Sequence, residues 1–302
     1  MQHQVKIIAE IGSNYNGDLD LAKKYISAAA QCGADMVKFQ TLRKDQLIAP
    51  KVTMGGGLKD NPVYQNFANL ELPDAWHFSL QTCANQNHIE FFSTPFYLEA
   101  VELLERVGIA TYKIASGDIT FIPLLKAVGK TGKDVILSTG GSNLADVESA
   151  LNVLTDSGAG NITLLHCVSS YPPRFAEMNL KAIGTLKNVF DLPVGISDHT
   201  PGSLVPIAAV AMGAGVVEKH VTFDRALPGP DHPFAMTMAE FAEMVEQIRL
   251  LELALGTGEK IPSDDELSRQ HRFRRGVYDQ GSYQPVNDHN GIWLRPEHRC
   301  EF

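Results

Sequence analysis

Two lysines lie inside short apolar runs, where a charged side chain is rare. Lys38 stands in MVKFQ and Lys113 in YKIAS, and a hydroxyl residue closes each run. A buried lysine normally has a partner, so each could belong to a structural ion pair. Two such lysines beside hydroxyl groups favour a site for phosphate or carboxylate, because ammonium and hydroxyl groups both donate to these anions. Catalysis through a lysine Schiff base is the competing functional interpretation.

Two histidines occur at the ends of the last two runs of this kind. His199 stands in ISDHT and His220 in VEKHV, with carboxylates nearby in sequence at Asp198, Glu218 and Asp231. Neutral imidazoles beside carboxylates suit a divalent transition metal such as Mn²⁺, Co²⁺, Fe²⁺ or Zn²⁺. A lone histidine is more often a hydrogen-bonded core residue, so the metal hypothesis depends on the pair.

The runs that carry these residues have the length and composition of buried strands. Eight of them alternate with segments of helical period, and each is dense in Val, Ile, Leu or Phe. Eight such units predict an α/β fold, the (β/α)8 TIM barrel. An open, doubly wound sheet is the alternative, but polar residues near the end of nearly every run fit the single mouth of a barrel better. The predicted strands are 5–11, 35–41, 89–94, 111–116, 134–139, 161–167, 193–198 and 215–221.

Two regions depart from this alternation. Residues 42–72 form a connection much longer than the usual two to six residues, with three glycines at its centre. A long loop after a barrel strand is often a lid, and we expect part of the substrate specificity to lie there. Residues 261–302 are charged and rich in turn residues, and they are too few for a core of their own. The predicted organisation is a barrel over 1–260 with a short C-terminal extension over 261–302.

Composition excludes several classes of protein. The 302 residues are 44% hydrophobic with a net charge of −9, which allows a sizeable core and argues against a nucleic-acid partner. The N-terminus lacks a secretory pattern, no apolar run could span a membrane, and the four cysteines have no zinc spacing. We therefore expect a cytoplasmic protein without a membrane partner. GxGxxG, HExxH and GxSxG motifs are all missing, which removes the main support for nicotinamide enzymes, zinc proteases and serine hydrolases.

The strand-end sequences together resemble one family, the sialic acid synthases, which are barrels that condense phosphoenolpyruvate with amino sugars. Nine short matches occur in the family's order between residues 5 and 260. Each is short, and their specificity comes from their number and order. The matches are AEIGSNYNGD, VKFQT, FFSTPF, YKIASGD, ILSTGG, LLHCVSSYP, GISDHT, VEKHVTFD and PGPDH.

The resemblance implies a metal-dependent condensation of phosphoenolpyruvate with an N-acetylmannosamine-type aldehyde, giving a sialic acid or related nonulosonate plus phosphate. His199 and His220 would hold the metal, which we expect to be Mn²⁺, with Co²⁺, Mg²⁺, Fe²⁺ or Zn²⁺ as alternatives. Glu10, Glu218 and Asp231 would move protons. The positions implied in substrate binding are Lys38, Gln40, Thr94, Phe96, Lys113, Ser116, Asp118, Ser138, Ser169, Tyr171 and Ser197.

The family normally continues into a small antifreeze-like domain that reaches the active site of the partner subunit. Here the sequence ends at Phe302, too early for that domain in full, although the word Trp-Leu-Arg-Pro at 293–296 resembles its first part. This match implies that Arg295 binds the sugar within a homodimer. A frayed tail is the alternative for this segment. A non-catalytic sugar-binding or scaffold barrel is the alternative for the whole chain.

Overall fold

The computed structural model describes residues 4–273. Its strands, in chain order, are β1 (Lys6–Gly12), β2 (Met36–Thr41), β3 (Lys51–Met54), β4 (Gly57–Asp60), β5 (Glu90–Pro95), β6 (Thr111–Ile114), β7 (Asp134–Ser138), β8 (Ile162–Cys167), β9 (Val194–Asp198), β10 (Val216–Thr222) and β11 (Met236–Thr237). Its helices are α1 (Leu19–Gln31), α2 (Lys44–Leu47), α3 (Asp74–Gln86), α4 (Leu98–Val107), α5 (Ile122–Gly129), α6 (Leu144–Asp156), α7 (Ala182–Phe190), α8 (Leu204–Ala211), α9 (Met238–Leu255) and α10 (Asp264–Phe273).

Eight parallel strands close into a barrel, as the sequence predicts. The order is β1-β2-β5-β6-β7-β8-β9-β10, and β10 pairs in parallel with β1 to complete the ring. Every predicted strand corresponds to one barrel strand, and helices fill the intervals. The open-sheet alternative is therefore wrong, because each of these eight strands pairs with two neighbours, whereas an open sheet has two edge strands.

The interior of the barrel has an apolar layer directly beneath a polar one. One buried cluster of apolar side chains consists of Ile8, Met36, Phe92, Ile136, Leu165 and Val216. Strand side chains alternate between faces, so the residue two positions later points the same way and lies nearer the carboxyl end. Those residues are Glu10, Lys38, Thr94, Ser138, Cys167 and Glu218. The apolar layer thus closes the barrel below the polar groups and separates them from solvent on that side.

The first helix illustrates how the sequence sets the outer layer. The Asp18 carboxylate accepts hydrogen bonds from the backbone N–H groups of Asp20 and Leu21, which caps the N-terminus of α1. Ala22, Tyr25, Ile26 and Ala29 form the buried face of this helix. Their spacing of three and four residues is the helical period, so one face packs on the strands while the other remains in solvent.

The long connection at 42–72 contains local secondary structure in addition to the predicted loop. It holds α2, a hairpin of β3 and β4, and a 3₁₀ helix over Tyr64–Leu70. Two of the central glycines form the hairpin turn, where Gly55 and Gly56 adopt φ values of 59° and 80° that favour glycine. A lid function for this segment stays a prediction.

Within the described residues the chain divides into two units, with the boundary between Ala254 and Leu255. The predicted boundary lies a few residues later, between 260 and 261. In the second unit, the structure describes the helix α10. Across residues 4–273, no helix combines the length and apolar character needed to cross a membrane.

Candidate active site

One cavity of about 520 Å³ lies at the carboxyl ends of the barrel strands. Of the sequence-predicted site residues within 4–273, all but Asp231 line this cavity. They are Glu10, Lys38, Gln40, Thr94, Phe96, Lys113, Ser116, Asp118, Ser138, Ser169, Tyr171, Ser197, His199, Glu218 and His220. Arg295 lies outside the described residues.

Asp231 lies at the edge of the same group, near the end of β1. Its Oδ2 atom is 3.6 Å from Nδ1 of His220. Gly12 has no side chain there, and a Cβ atom on it would lie 3.1 Å from Asp231 Oδ2, 3.2 Å from Glu10 Oε1 and 3.3 Å from Gln40 Nε2. Glycine at this position therefore leaves space into which three polar side chains converge.

Lys38 lies between two buried carboxylates. Its Nζ is 3.2 Å from Glu10 Oε2 and 3.3 Å from Glu218 Oε1. Burial alone would lower the pKa of Lys38, but the two carboxylates outweigh it and raise that pKa above its ordinary value. The structural ion pair considered for this lysine is thus present, and it lies within the cavity rather than in the packed core.

The two carboxylates beside Lys38 differ in their pKa. Burial raises the pKa of Glu10 to about 7, against the charge of Lys38, and the neighbouring Glu218 adds to the rise. Burial also opposes ionisation of Glu218, but the charges of Lys113 and Lys38 and a hydrogen bond from Ser197 lower its pKa overall. Glu10 therefore titrates near neutral pH, whereas Glu218 stays ionised there.

Lys113 is a buried cation without a carboxylate partner. Its Nζ donates to Ser138 Oγ at 2.6 Å and to the carbonyl oxygen of Ile114 at 3.1 Å. Within residues 4–273 no carboxylate forms an ion pair with it. Burial lowers the pKa of Lys113 to about 8. The charge of a cation held this way is not balanced by a neighbouring carboxylate, and an anionic ligand in the cavity would balance it.

Hydroxyl groups crowd the same part of the cavity around the β7–α6 loop. The backbone N–H of Gly140 donates to Ser116 Oγ at 2.9 Å. A Cβ atom on Gly140 would lie 2.4 Å from Ser169 Oγ and 2.9 Å from Ser116 Oγ, so only glycine lets both hydroxyls approach this loop. The Thr94 hydroxyl is buried without a hydrogen-bond partner among the described residues.

The two predicted metal ligands are neighbours in the same cavity. The His199 and His220 rings have centroids 5.2 Å apart, and Phe234 packs edge-on against both. Burial lowers the pKa of His199 to about 3 and that of His220 well below its ordinary value, so both rings are neutral. Nδ1 of each ring is buried and has no hydrogen-bond partner in residues 4–273.

These features fit a divalent metal, because neutral imidazole nitrogens with free lone pairs are its usual ligands. The fit is partial in one respect. Among the described residues, no three His, Cys, Asp or Glu side chains lie close enough together to form a ligand cluster. Two imidazoles would therefore supply only part of the coordination, and oxygen atoms of water or substrate would supply the rest.

The suggestion that Asp198 lies beside the metal is wrong. The Asp198 carboxylate accepts from Lys219 Nζ at 2.5 Å and from the backbone N–H and the hydroxyl of Thr200, both at 3.0 Å. It does not line the cavity. Asp198 and His199 are consecutive, so they point to opposite sides of the barrel wall.

Several residues of the site were not predicted from the sequence. Leu47 from α2 and Cys167 at the end of β8 line the cavity, and Phe234 packs on both imidazoles. The inward direction of Cys167 could have been found from the period of two along β8. Leu47 and Phe234 belong to connecting segments, whose position depends on the closed barrel.

Comparisons with known proteins all indicate the same family. The NeuB family model matches residues 25–260. The N,N'-diacetyllegionaminic acid synthase of Campylobacter jejuni is 46% identical, and the match covers 90% of this chain and 83% of that protein. The N-acetylneuraminate-9-phosphate synthase of Homo sapiens is 34% identical, and that match covers 91% of this chain and 78% of the human protein.

A solved structure agrees with these matches. The N-acetylneuraminic acid synthetase of Leptospira borgpetersenii serovar Hardjo-bovis, determined with citrate, superposes with a TM-score of 0.81 at 35% identity. The superposition covers 88% of this chain and 90% of that one. The chain therefore belongs to the NeuB family and is a condensing transferase, as its strand-end sequences predict.

Proposed function

We propose that this protein catalyses the metal-dependent condensation of phosphoenolpyruvate with an N-acetylmannosamine-type sugar aldehyde. The products are a sialic acid or related nonulosonate and inorganic phosphate. The observation that carries the proposal is Lys113, a buried cation without a carboxylate partner among the described residues, in one cavity with the two neutral imidazoles. Such a cavity offers an anion site and a metal site to two substrates at once.

The lysines and hydroxyls account for binding of phosphoenolpyruvate. This substrate carries close to three negative charges, which must be balanced when water leaves the cavity. Lys113 supplies an unpaired ammonium group beside the Ser138 hydroxyl, and Ser116 and Ser169 supply further hydroxyl groups in the same cavity. Lys38 contributes less free charge, because Glu10 and Glu218 already neutralise it.

The pH dependence of phosphoenolpyruvate binding is the first prediction. Lys113 has a pKa of about 8 and binds the anion only when protonated. We expect the KM for phosphoenolpyruvate to be constant below that pH and to rise about tenfold per unit above it, since each unit lowers the protonated fraction of the lysine about tenfold. Initial rates between about pH 6.5 and 9.5 at saturating sugar, an interval that brackets this pKa, test the prediction. A KM that is flat across that range would contradict it.

His199 and His220 would hold the divalent metal through their free imidazole nitrogens. When bound, the metal would act as a Lewis acid that polarises the sugar aldehyde. The chain orients the two rings through Phe234, which packs edge-on against both, and through Tyr171, which packs edge-on against His199.

The carboxyl groups beside Lys38 are suited to moving protons. In the reaction C3 of phosphoenolpyruvate bonds to the aldehyde carbon, water adds at C2, and the tetrahedral centre expels phosphate. The aldehyde oxygen gains a proton and the attacking water loses one. Glu10, with a pKa of about 7, and the ionised Glu218 can divide these tasks, because their environments separate their pKa values. Burial raises the pKa of Asp231 to about 6, which makes it a third candidate.

Phosphate release with a panel of sugars tests the proposal. The panel is N-acetylmannosamine, its 6-phosphate and a 2,4-diacetamido-trideoxy hexose, each with phosphoenolpyruvate and Mn²⁺. The diacetamido sugar comes first, because two relatives named as N,N'-diacetyllegionaminic acid synthases are 46% and 43% identical to this chain. Sugar-dependent phosphate release is the expected result. Absence of release with every member would overturn the proposal.

A lysine Schiff-base aldolase is the second candidate, because the lowered pKa of Lys113 also suits an amine nucleophile. Borohydride reduction in the presence of pyruvate separates the two. The condensing reaction forms no imine, so we expect no mass increase on Lys113. A trapped adduct at this residue would favour the aldolase.

Truncation of the tail gives a further prediction. If Arg295 binds the sugar of a partner barrel, the protein is a homodimer, and deleting residues 263–302 raises the KM for the sugar while metal binding is unchanged. A guanidinium group suits this role because it offers several donors in a fixed plane. Arg295→Met in the full chain is the finer variant, and analytical ultracentrifugation gives the oligomeric state. A monomer whose kinetics are unaltered by the deletion would contradict the prediction.

A further inference from the structure

A charged pair lies on the side of the barrel wall opposite the cavity. His199 and His220 line the cavity, whereas Asp198 and Lys219, the residues directly before them, do not. Both charged side chains are almost completely buried, with exposures of 0% for Asp198 and 1% for Lys219. Neither can contact a substrate in the cavity, so any effect on the reaction must pass through another residue.

The hydrogen bonds of this pair involve the two residues that flank His199 in the sequence, Asp198 and Thr200. Asp198 Oδ1 accepts from the backbone N–H of Thr200 at 3.0 Å, and Oδ2 accepts from the Thr200 hydroxyl at 3.0 Å. Lys219 Nζ donates to Asp198 Oδ2 at 2.5 Å and also to the carbonyl oxygen of Thr200. The residues on both sides of His199 are thus tied to each other and to β10, the strand that carries His220.

Stability alone does not account for a pair of this kind. A buried ion pair gains little over apolar side chains of similar size, because both charges lose their hydration. The His199 ring, in turn, has no hydrogen bond at Nδ1 among the described residues that would fix its direction. Its direction therefore depends on its aromatic neighbours and on the backbone that the pair holds.

We infer that Asp198 and Lys219 are positioning residues, which hold the backbone around His199 so that its imidazole faces the metal together with His220. The inference rests on the proposed function for the identity of the ligand. The two charged side chains form four hydrogen bonds that fix the backbone from Asp198 to Thr200. Apolar side chains could pack against this segment but could not form such bonds.

The test removes both charges together. Lys219→Met alone would leave Asp198 buried and unpaired, and this variant could fail to fold. The double variant Lys219→Met with Asp198→Asn removes that penalty and keeps an acceptor for the Thr200 N–H. We expect it to melt cooperatively, while its Kd for Mn²⁺ rises about tenfold or more, in the range of other residues that orient metal ligands. The KM for phosphoenolpyruvate should stay essentially unchanged, because the cations and hydroxyls that bind it are untouched.

A control variant removes a partly exposed ion pair at the opposite end of the barrel. Arg249 Nη2 lies 3.0 Å from Asp35 Oδ2, close to the start of β1 and β2. The double variant Arg249→Met with Asp35→Asn should alter the melting temperature but not the Kd for Mn²⁺. A Kd that rises equally in both double variants, or in neither, would overturn the inference.

NMR of the His199 ring protons and carbons gives a readout that needs no metal. We expect ring shifts of one fixed orientation in the metal-free wild type and averaged ring shifts in the Lys219→Met, Asp198→Asn variant. If the wild type fails to bind Mn²⁺, the metal part of the proposed function is wrong, and the ring shifts alone decide the inference. Shifts that are identical in wild type and variant would then overturn it.

Discussion

Chelation of divalent metal with excess EDTA is expected to abolish turnover and leave the barrel folded. The cavity supplies two neutral imidazoles with free nitrogens, and a Lewis acid held there is worth several kcal/mol of barrier, or roughly a thousandfold or more in rate. The ring of eight paired strands and its apolar layer involve neither nitrogen. Circular dichroism should therefore be unchanged, and added Mn²⁺ should restore turnover.

Single substitutions test whether His199 and His220 hold the metal. His199→Ala and His220→Ala should each lower both the bound metal, measured by elemental analysis, and kcat. His166→Ala is the matched control: its Nε2 contacts the carbonyl oxygen of Met178, and it lines a different cavity. Full activity in excess EDTA, or unchanged metal content in both variants, would exclude the assignment of these two ligands.

Substitution of Lys113 is expected to separate function from stability. Lys113→Met should raise the KM for phosphoenolpyruvate by about ten- to a hundredfold, the value of a charge-assisted contact of about 1.5–3 kcal/mol. The same change should make the protein more stable. The folded-state pKa of about 8 lies below the ordinary 10.5, so the folded state holds this proton less tightly than the unfolded chain. At about pH 7 that costs on the order of 3 kcal/mol, which methionine removes.

The sign of this effect can be checked against pH. Between about pH 8 and 10.5 the unfolded chain binds more protons at this lysine than the folded protein, so its contribution to the free energy of unfolding rises with pH there. Thermal melts of wild type and Lys113→Met should converge across that interval. Lys130→Met, at an exposed position, serves as the control. A variant that is less stable yet binds phosphoenolpyruvate normally would show that Lys113 has only a structural role.

Sequence patterns were enough to predict the barrel and most of what lines its mouth. Apolar runs such as IEFFST and DVILST are typical of strands buried on both faces, and their number and spacing leave few folds. The period of two then places Glu10 above Ile8 and Lys38 above Met36, with each polar residue nearer the carboxyl end. These relations are local along one strand, which is why they can be read before the fold is known.

Contacts between residues on different strands could not be predicted in this way. Glu10 and His220 are paired residues only because β1 and β10 close the ring, and nothing within either strand indicates it. Asp198 illustrates the same limit. Its position beside His199 in the sequence suggested a metal ligand, whereas its ion pair with Lys219 on the next strand shows a different role. Leu47 and Phe234 enter the site from connecting segments that have no period.

The sequence by itself determined which chemical groups this protein presents at the carboxyl ends of its strands, because residue type and strand period are properties of the chain alone. Only the tertiary structure decided which of those groups are partnered. Lys38 lies between two carboxylates and Lys113 has none among the described residues, although both stand at equivalent places in similar runs. The difference arises because pKa values and free lone pairs depend on neighbours across the barrel, and closure of the ring selects those neighbours.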